Sequence, residues 1–166
     1  MKVFYNCYGG THTSVAAAAL HTGRLDPRRT PRVRDIVGLP LFDRVPTEDI
    51  GLAFPYGRGP DGEDVLVIGF GPGKTVVKRA VTSFLELKGV CARDYFFVDA
   101  LPRATWAIRV GGTLSRRLGL VPLGRLLAAW GVQRAYDRLV SLVEETRAEV
   151  RRRRGGSSLT VPSRGG

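Results

Sequence analysis

Little in this sequence suggests export, a membrane or a disulfide framework. Only two cysteines occur, Cys7 and Cys91, and a chain without an export signal is expected to keep both as thiols. No apolar run approaches the roughly 18 residues of a membrane span. The apolar stretch after Met1 is too short for a leader and runs straight into Gly9 and Gly10. A cytoplasmic protein with no membrane span is the expectation. Lysine is also scarce: Lys2, Lys74, Lys78 and Lys88 are the only four among 26 basic residues, a bias that genomic composition produces as readily as function. The only histidines, His12 and His21, lie nine residues apart. On a continuous helix they face opposite ways, which excludes a shared metal.

What the chain does have is length and positive charge. At 166 residues it can bury the core of one ordinary domain without staples. The net charge of +11 is uneven, because residues 151–166, "RRRRGGSSLTVPSRGG", hold five arginines and no acid, which leaves 21 basic and 15 acidic residues, or +6, in the first 150. The body, residues 1–150, is therefore only mildly basic, and no specific nucleic acid is expected as a partner. The tail, residues 151–166, lacks an apolar period and is expected to be disordered.

The pattern along the body is α/β. "KVFYNC" reads as a strand and "TSVAAAALH" as a helix, with Thr11 or Thr13 placed to cap it and Gly23 to stop it. Residues 24–47 read as a long connection with one helical turn near "IVGLPLF". "IGLAFPY" and "EDVLVIGF", joined by "GRGPDG", form a hairpin whose first arm Pro55 confines to an edge. A helix from Lys74 to about Lys88 precedes the strand "DYFFVDAL", which places Asp99 at a carboxyl end, where α/β sheets bind ligands. Two helices complete the body. One, near 103–118, stacks Trp106, Val110, Leu114 and Leu118; the other, from Pro122 to about Val150, carries Leu123, Leu126, Leu127 and Trp130 on its apolar side. The fold expected is a single three-layer α/β domain: a mixed, mostly parallel sheet with one antiparallel hairpin, and helices on both faces.

The first strand–loop–helix unit carries the candidate site. Helix N-terminal amides have no internal partners and attract anions. Gly9 and Gly10 allow close backbone approach, and Thr11, Thr13 and Ser14 add hydroxyl donors. A tight corner would use the same glycines for a left-handed turn and the same hydroxyls as caps. Cys7 adds a third reading, a thiolate nucleophile favoured by the helix amides. His12 could donate to an anion or act as acid or base, whereas His21 is read as a helix-end interaction with the dipole. Lys74, Arg109 and Arg116 are auxiliary anion contacts, and Asp99 completes a candidate catalytic set with Cys7 and His12. "IGFGPGKT" fails the Walker pattern, since Ile68 stands where the first glycine is needed and Pro72 removes an amide.

Through Cys7, Gly10, Thr13 and Ser14 the loop resembles that of the IIB domains of the sugar phosphotransferase system, in which a cysteine accepts a phosphoryl group. It is also similar to the low-molecular-weight phosphotyrosine phosphatase loop, with Cys7 and Ser14 in register and Thr13 in place of the arginine. Over a longer span, "MKVFYNCYGGTHTSVAAAALHTG", "LPLFDR", "VDALP" and "GGTLSRRLGL" resemble domain-of-unknown-function family 3189, whose members occur mainly in spore-forming Firmicutes. That resemblance implies a cytoplasmic location and no particular catalytic residue or cofactor. The functional expectation is binding of, or action on, a phosphorylated small molecule or nucleotide at Cys7–Ser14. The alternatives are cysteine-dependent phosphoryl transfer and a non-catalytic interaction protein that uses Arg109, Arg116, Arg117 and the tail.

Overall fold

The computed structural model describes residues 1–117 and 121–155, with only the backbone described at 115–117. Four strands form one sheet in the order β2-β3-β1-β4. The central strand β1 (Lys2–Cys7) runs parallel to β3 (Asp64–Gly69) and to β4 (Tyr95–Asp99), while β2 (Ala53–Arg58) is antiparallel to β3 at the edge. Pro55 sits in that edge strand, beside a register shift before Gly57, where a missing N–H is tolerated.

Strand alternation divides the core in two. Val3, Tyr5, Val65, Val67 and Val98 point to the larger layer, which contains α1 (Thr13–His21), α2 (Val33–Val37), α5 (Val121–Arg134) and α6 (Tyr136–Gly155). Phe4, Ile68, Phe70 and Tyr95 point to the other face, where Val77, Val81 and Leu85 of α3 (Lys74–Leu87) cover them. Helices therefore lie on both faces of a mixed sheet. No helix among the described residues is long and apolar enough to cross a membrane.

Three local expectations are corrected, and the one helical turn expected within 24–47 is found. Helix α1 starts behind His12 with no side-chain cap, and the Thr11 hydroxyl instead donates to the Leu41 carbonyl at 2.8 Å. The helical turn in the long connection is α2 at Val33–Val37, at the start of "IVGLPLF" and before it. The last long helix is two, α5 and α6, which meet at Ala135. The break lets α5 stay on α4 (Trp106–Arg117) and α2 while α6 lies along α1, with Tyr136 donating to the Asp26 carbonyl at 2.9 Å. Finally, α6 continues through Arg151–Arg154 to Gly155. Arg151 pairs with Asp61 (3.5 Å), and Arg153 lies 4.6 Å from the Phe96 ring centroid, so these arginines belong to the domain. Residues 156–166 lie outside the described residues.

The apolar stripes of α4 and α5 also face differently from the reading by period. Trp106, Val110, Leu123 and Leu126 are exposed, and Ala107, Ile108, Ala128, Ala129 and Val132 are buried. The reason is close helix packing. A Cβ on Gly111 would lie 2.6 Å from the Ala128 nitrogen, and one on Gly131 would lie 2.7 Å from Ile108. Small residues therefore face the partner backbone, and the large ones are left outside.

Candidate functional site

Cys7 ends the central strand at the carboxyl edge of the sheet, and the chain turns through Tyr8–His12 into α1. The Cys7 sulfur is buried and lies 3.2 Å from the Ser14 hydroxyl. Burial pushes the thiol pKa up. The Ser14 hydroxyl, followed by the backbone N–H groups of Ser14, His12 and Thr11, more than reverses this, and the net direction is downward. These donors belong to the first turn of α1 and the residues leading into it, the end of a helix that favours negative charge. The groups that favour the thiolate are thus the chain's own loop donors.

Gly10 has a different role from the one its neighbourhood suggests. Its φ is +67°, and a Cβ there would lie 2.6 Å from the Gly69 nitrogen and 2.8 Å from the Ile68 carbonyl carbon. A Cβ on Gly69 would in turn meet the Gly9 carbonyl carbon at 2.8 Å. Gly10 is a left-handed residue pressed against the end of β3, so its missing side chain makes room for backbone rather than for a ligand.

Above the sulfur opens a cavity of about 440 Å³. Cys7, Gly9, Thr11, His12 and Thr13 form the loop side, and Arg109, Gly112 and Thr113 of α4 face them. Leu101, Ala104 and Ile108 supply an apolar wall. This size suits a small molecule, with polar groups converging at one end. Tyr8, half-exposed, also lines it.

The structure adds Asp43, Phe42 and Arg125, which sequence reasoning missed. His12 Nε2 lies 2.9 Å from Asp43 Oδ1, and the Asp43 side chain is almost wholly buried. Arg125 reaches from α5 to donate to the Asp43 carbonyl (3.2 Å), and its Nε is 3.5 Å from Oδ2. The Phe42 ring meets the His12 ring edge-on, with centroids 5.3 Å apart. Both Leu41 (φ +63°) and Asp43 (φ +52°) are left-handed, a conformation that costs a non-glycine residue free energy and gathers at functional sites. The segment is tied to the site loop, since the Asp43 N–H donates to the Thr11 carbonyl at 3.2 Å. "LPLFDR" carries no glycine to announce such a turn.

Other expected site residues stand apart. Lys74 pairs directly with Asp99 Oδ2, while Asp99 Oδ1 accepts from Asn6 (3.2 Å) and from the Leu101 N–H (3.1 Å). Neither Lys74 nor Asp99 lines the cavity; Asp99 instead fixes the turn that carries Leu101. Arg109 is brought to the cavity, and the Arg116 and Arg117 side chains lie outside the described residues. His21 is the last residue of α1, but its side chain is engaged in the core. It is fully buried, with Nε2 2.5 Å from Glu63 Oε1 and Nδ1 2.8 Å from the Tyr5 hydroxyl. Arg147 donates to the carbonyls of Leu20 (3.0 Å) and His21 (2.9 Å), which ties α6 to the end of α1. This network lies away from the cavity and joins α1, α6 and the β3 approach.

Neither the curated proteins nor the solved structures contain a match to this chain. A family model described as "Protein of unknown function (DUF3189)" matches residues 2–148. That span takes in the Cys7 loop, the Leu41–Asp43 turn, α4 and Arg125, and the chain belongs to this family.

Proposed function

We propose that Cys7 is the acceptor of a phosphoryl group from a small phosphorylated molecule bound in the cavity above it. The observation that carries this reading is the Cys7 sulfur at the cavity floor, held by the Ser14 hydroxyl at 3.2 Å and by the loop N–H groups that favour its thiolate. In the step, the thiolate attacks phosphorus, an S–P bond forms, and the P–O bond to the donor oxygen breaks with its electron pair on that oxygen. Water or a second acceptor then takes the phosphoryl group from sulfur.

The resemblance to phosphatase loops left one gap, the absent arginine at Thr13. Arg109 supports an answer to it: α4 sets that residue in the wall of the same cavity, from which its guanidinium could neutralise a transferring phosphoryl group. Binding without chemistry is less well supported, because the loop hydroxyls are largely committed. Thr11 donates to the Leu41 carbonyl and Ser14 meets Cys7. Use of Arg109 at the cavity also removes it from an outward interaction face.

The test is to incubate the full chain with p-nitrophenyl phosphate and to map the adduct by mass spectrometry. The reading expects one phosphoryl group on Cys7, retained in Cys91→Ser and lost in Cys7→Ser. Phosphate-dependent thermal stabilisation that is equal in wild type and Cys7→Ser, with no adduct, would replace it with a binding function.

A further inference from the structure

Resting on Cys7 as phosphoryl acceptor, we infer that His12, oriented by Asp43 and Arg125, delivers the proton to the departing oxygen of the donor. His12 is the catalytic acid in this proposal, and Asp43 and Arg125 are positioning residues. When the P–O bond breaks, the electron pair stays on the donor oxygen. The imidazolium gives its proton to that oxygen, and the neutral ring is left hydrogen-bonded to Asp43 through Nε2.

The geometry points to this division of labour. His12 lines the same cavity as Cys7, so both can reach one bound molecule. Its ring is fixed on three sides. Asp43 holds Nε2 at 2.9 Å, Phe42 meets the ring edge, and Gly112 of α4 stands close on another side. A Cβ on Gly112 would lie 3.2 Å from His12 Cε1 and 3.5 Å from Nδ1. Gly112 is itself a cavity residue, so the Cε1–Nδ1 side of the ring, opposite the Asp43 contact, lies beside α4 where the cavity opens. A carboxylate on the far nitrogen fixes tautomer and orientation.

The surroundings of Asp43 are hard to explain by packing alone. A buried carboxylate costs free energy unless it is paired and hydrogen-bonded, and this one sits in a left-handed segment where neither Leu41 nor Asp43 is glycine. An apolar residue would fill the space without that cost. Arg125 offsets the charge from α5, and the Thr11 carbonyl pins the Asp43 backbone to the site loop. The strain and the buried charge are both spent on aiming one imidazole into one cavity.

The test compares two phosphoryl donors in the full chain. Phenyl phosphate expels a basic oxygen that needs a proton, whereas p-nitrophenyl phosphate expels a weakly basic one that does not. The rate of Cys7 phosphorylation is measured with each. Asp43→Asn keeps the shape and the left-handed backbone, and it should slow phenyl phosphate about 100-fold while changing p-nitrophenyl phosphate less than about threefold. His12→Ala should show the same selectivity, and imidazole added to the buffer should restore the phenyl phosphate rate, a rescue that a structural role would not give. It also serves if Asp43→Asn fails to fold. Arg125→Met should give a smaller loss of the same kind, and Arg125→Lys should recover part of it. Phosphocysteine formation from both donors with the wild-type ratio in Asp43→Asn and His12→Ala would overturn the acid and leave the acceptor standing. No phosphocysteine in the wild type would overturn both.

Discussion

Replacing Gly10 by alanine separates two causes that a glycine can have, because Gly23 supplies a matched control. Both residues are left-handed, at φ +67° and +74°, but a Cβ on Gly23 meets nothing within 4 Å while one on Gly10 meets β3 backbone at 2.6 and 2.8 Å. The left-handed conformation costs alanine ~1–2 kcal/mol, and the reduced freedom of the unfolded chain returns ~0.4–1 kcal/mol. Gly23→Ala should therefore destabilise by no more than about 1.6 kcal/mol. Gly10→Ala adds an overpacking cost of ~1–3 kcal/mol, since the obstacle is backbone and cannot rotate away. Urea unfolding should place Gly10→Ala below Gly23→Ala by that difference, and heating should separate them by roughly 3–10 °C. Cys7 alkylation should also slow in Gly10→Ala, because the shifted loop carries the Thr11 and His12 N–H groups off the sulfur. Equal losses in the two variants would refute the close approach of loop and strand.

Arg109→Ala should lower the ratio of Cys7 alkylation by iodoacetate to that by neutral iodoacetamide roughly three- to tenfold, about 1 kcal/mol of anion attraction at a partly exposed cation. Glu63→Ala leaves His21 Nε2 without its buried partner, and denaturant unfolding should show a loss of about 1–3 kcal/mol. Burial holds the His21 pKa below its ordinary value against the opposing Glu63 contact. A depressed folded-state pKa contributes stability that is full above the unfolded value of about 6.5 and is lost as pH falls through that region. Stability of the wild type should therefore drop on acidification below about pH 6.5, read by urea midpoints, and His21→Gln should flatten that drop. Arg153→Ala removes a contact with the Phe96 ring and a 3.1 Å hydrogen bond to the Tyr95 carbonyl. A loss of about 1 kcal/mol is expected, and deletion of residues 151–166 should cost at least as much.

The sheet was legible because its strands alternate or run apolar over short stretches bounded by glycine, proline and aspartate, and β1, β3 and β4 fall where those runs stand. The edge position of Pro55 follows from its missing donor alone. Helices α4 and α5 were legible in extent but not in orientation. Period analysis weights Trp106, Val110, Leu123 and Leu126 as core, whereas Gly111 and Gly131 admit a neighbouring backbone and turn the large residues outward. The site was half legible. Cys7, His12, Thr13 and Arg109 carry chemistry in their side chains and could be nominated by type. Asp43 could not, because its importance comes from a left-handed turn without glycine and from Arg125, far along the chain. His21 is legible as the end of α1 but not as a buried residue, since its partner Glu63 stands 42 residues away.

The central claim is that Ser14 and the loop N–H groups lower the Cys7 thiol pKa against burial. It is tested most directly by the pH dependence of Cys7 alkylation by iodoacetamide in Cys91→Ser. The midpoint should fall below the ordinary thiol value of 9.0, and Ser14→Ala should move it upward, because the first donor that opposes burial is gone. A midpoint at or above 9.0, unchanged in Ser14→Ala, would show that burial wins and that the loop is only a corner between β1 and α1.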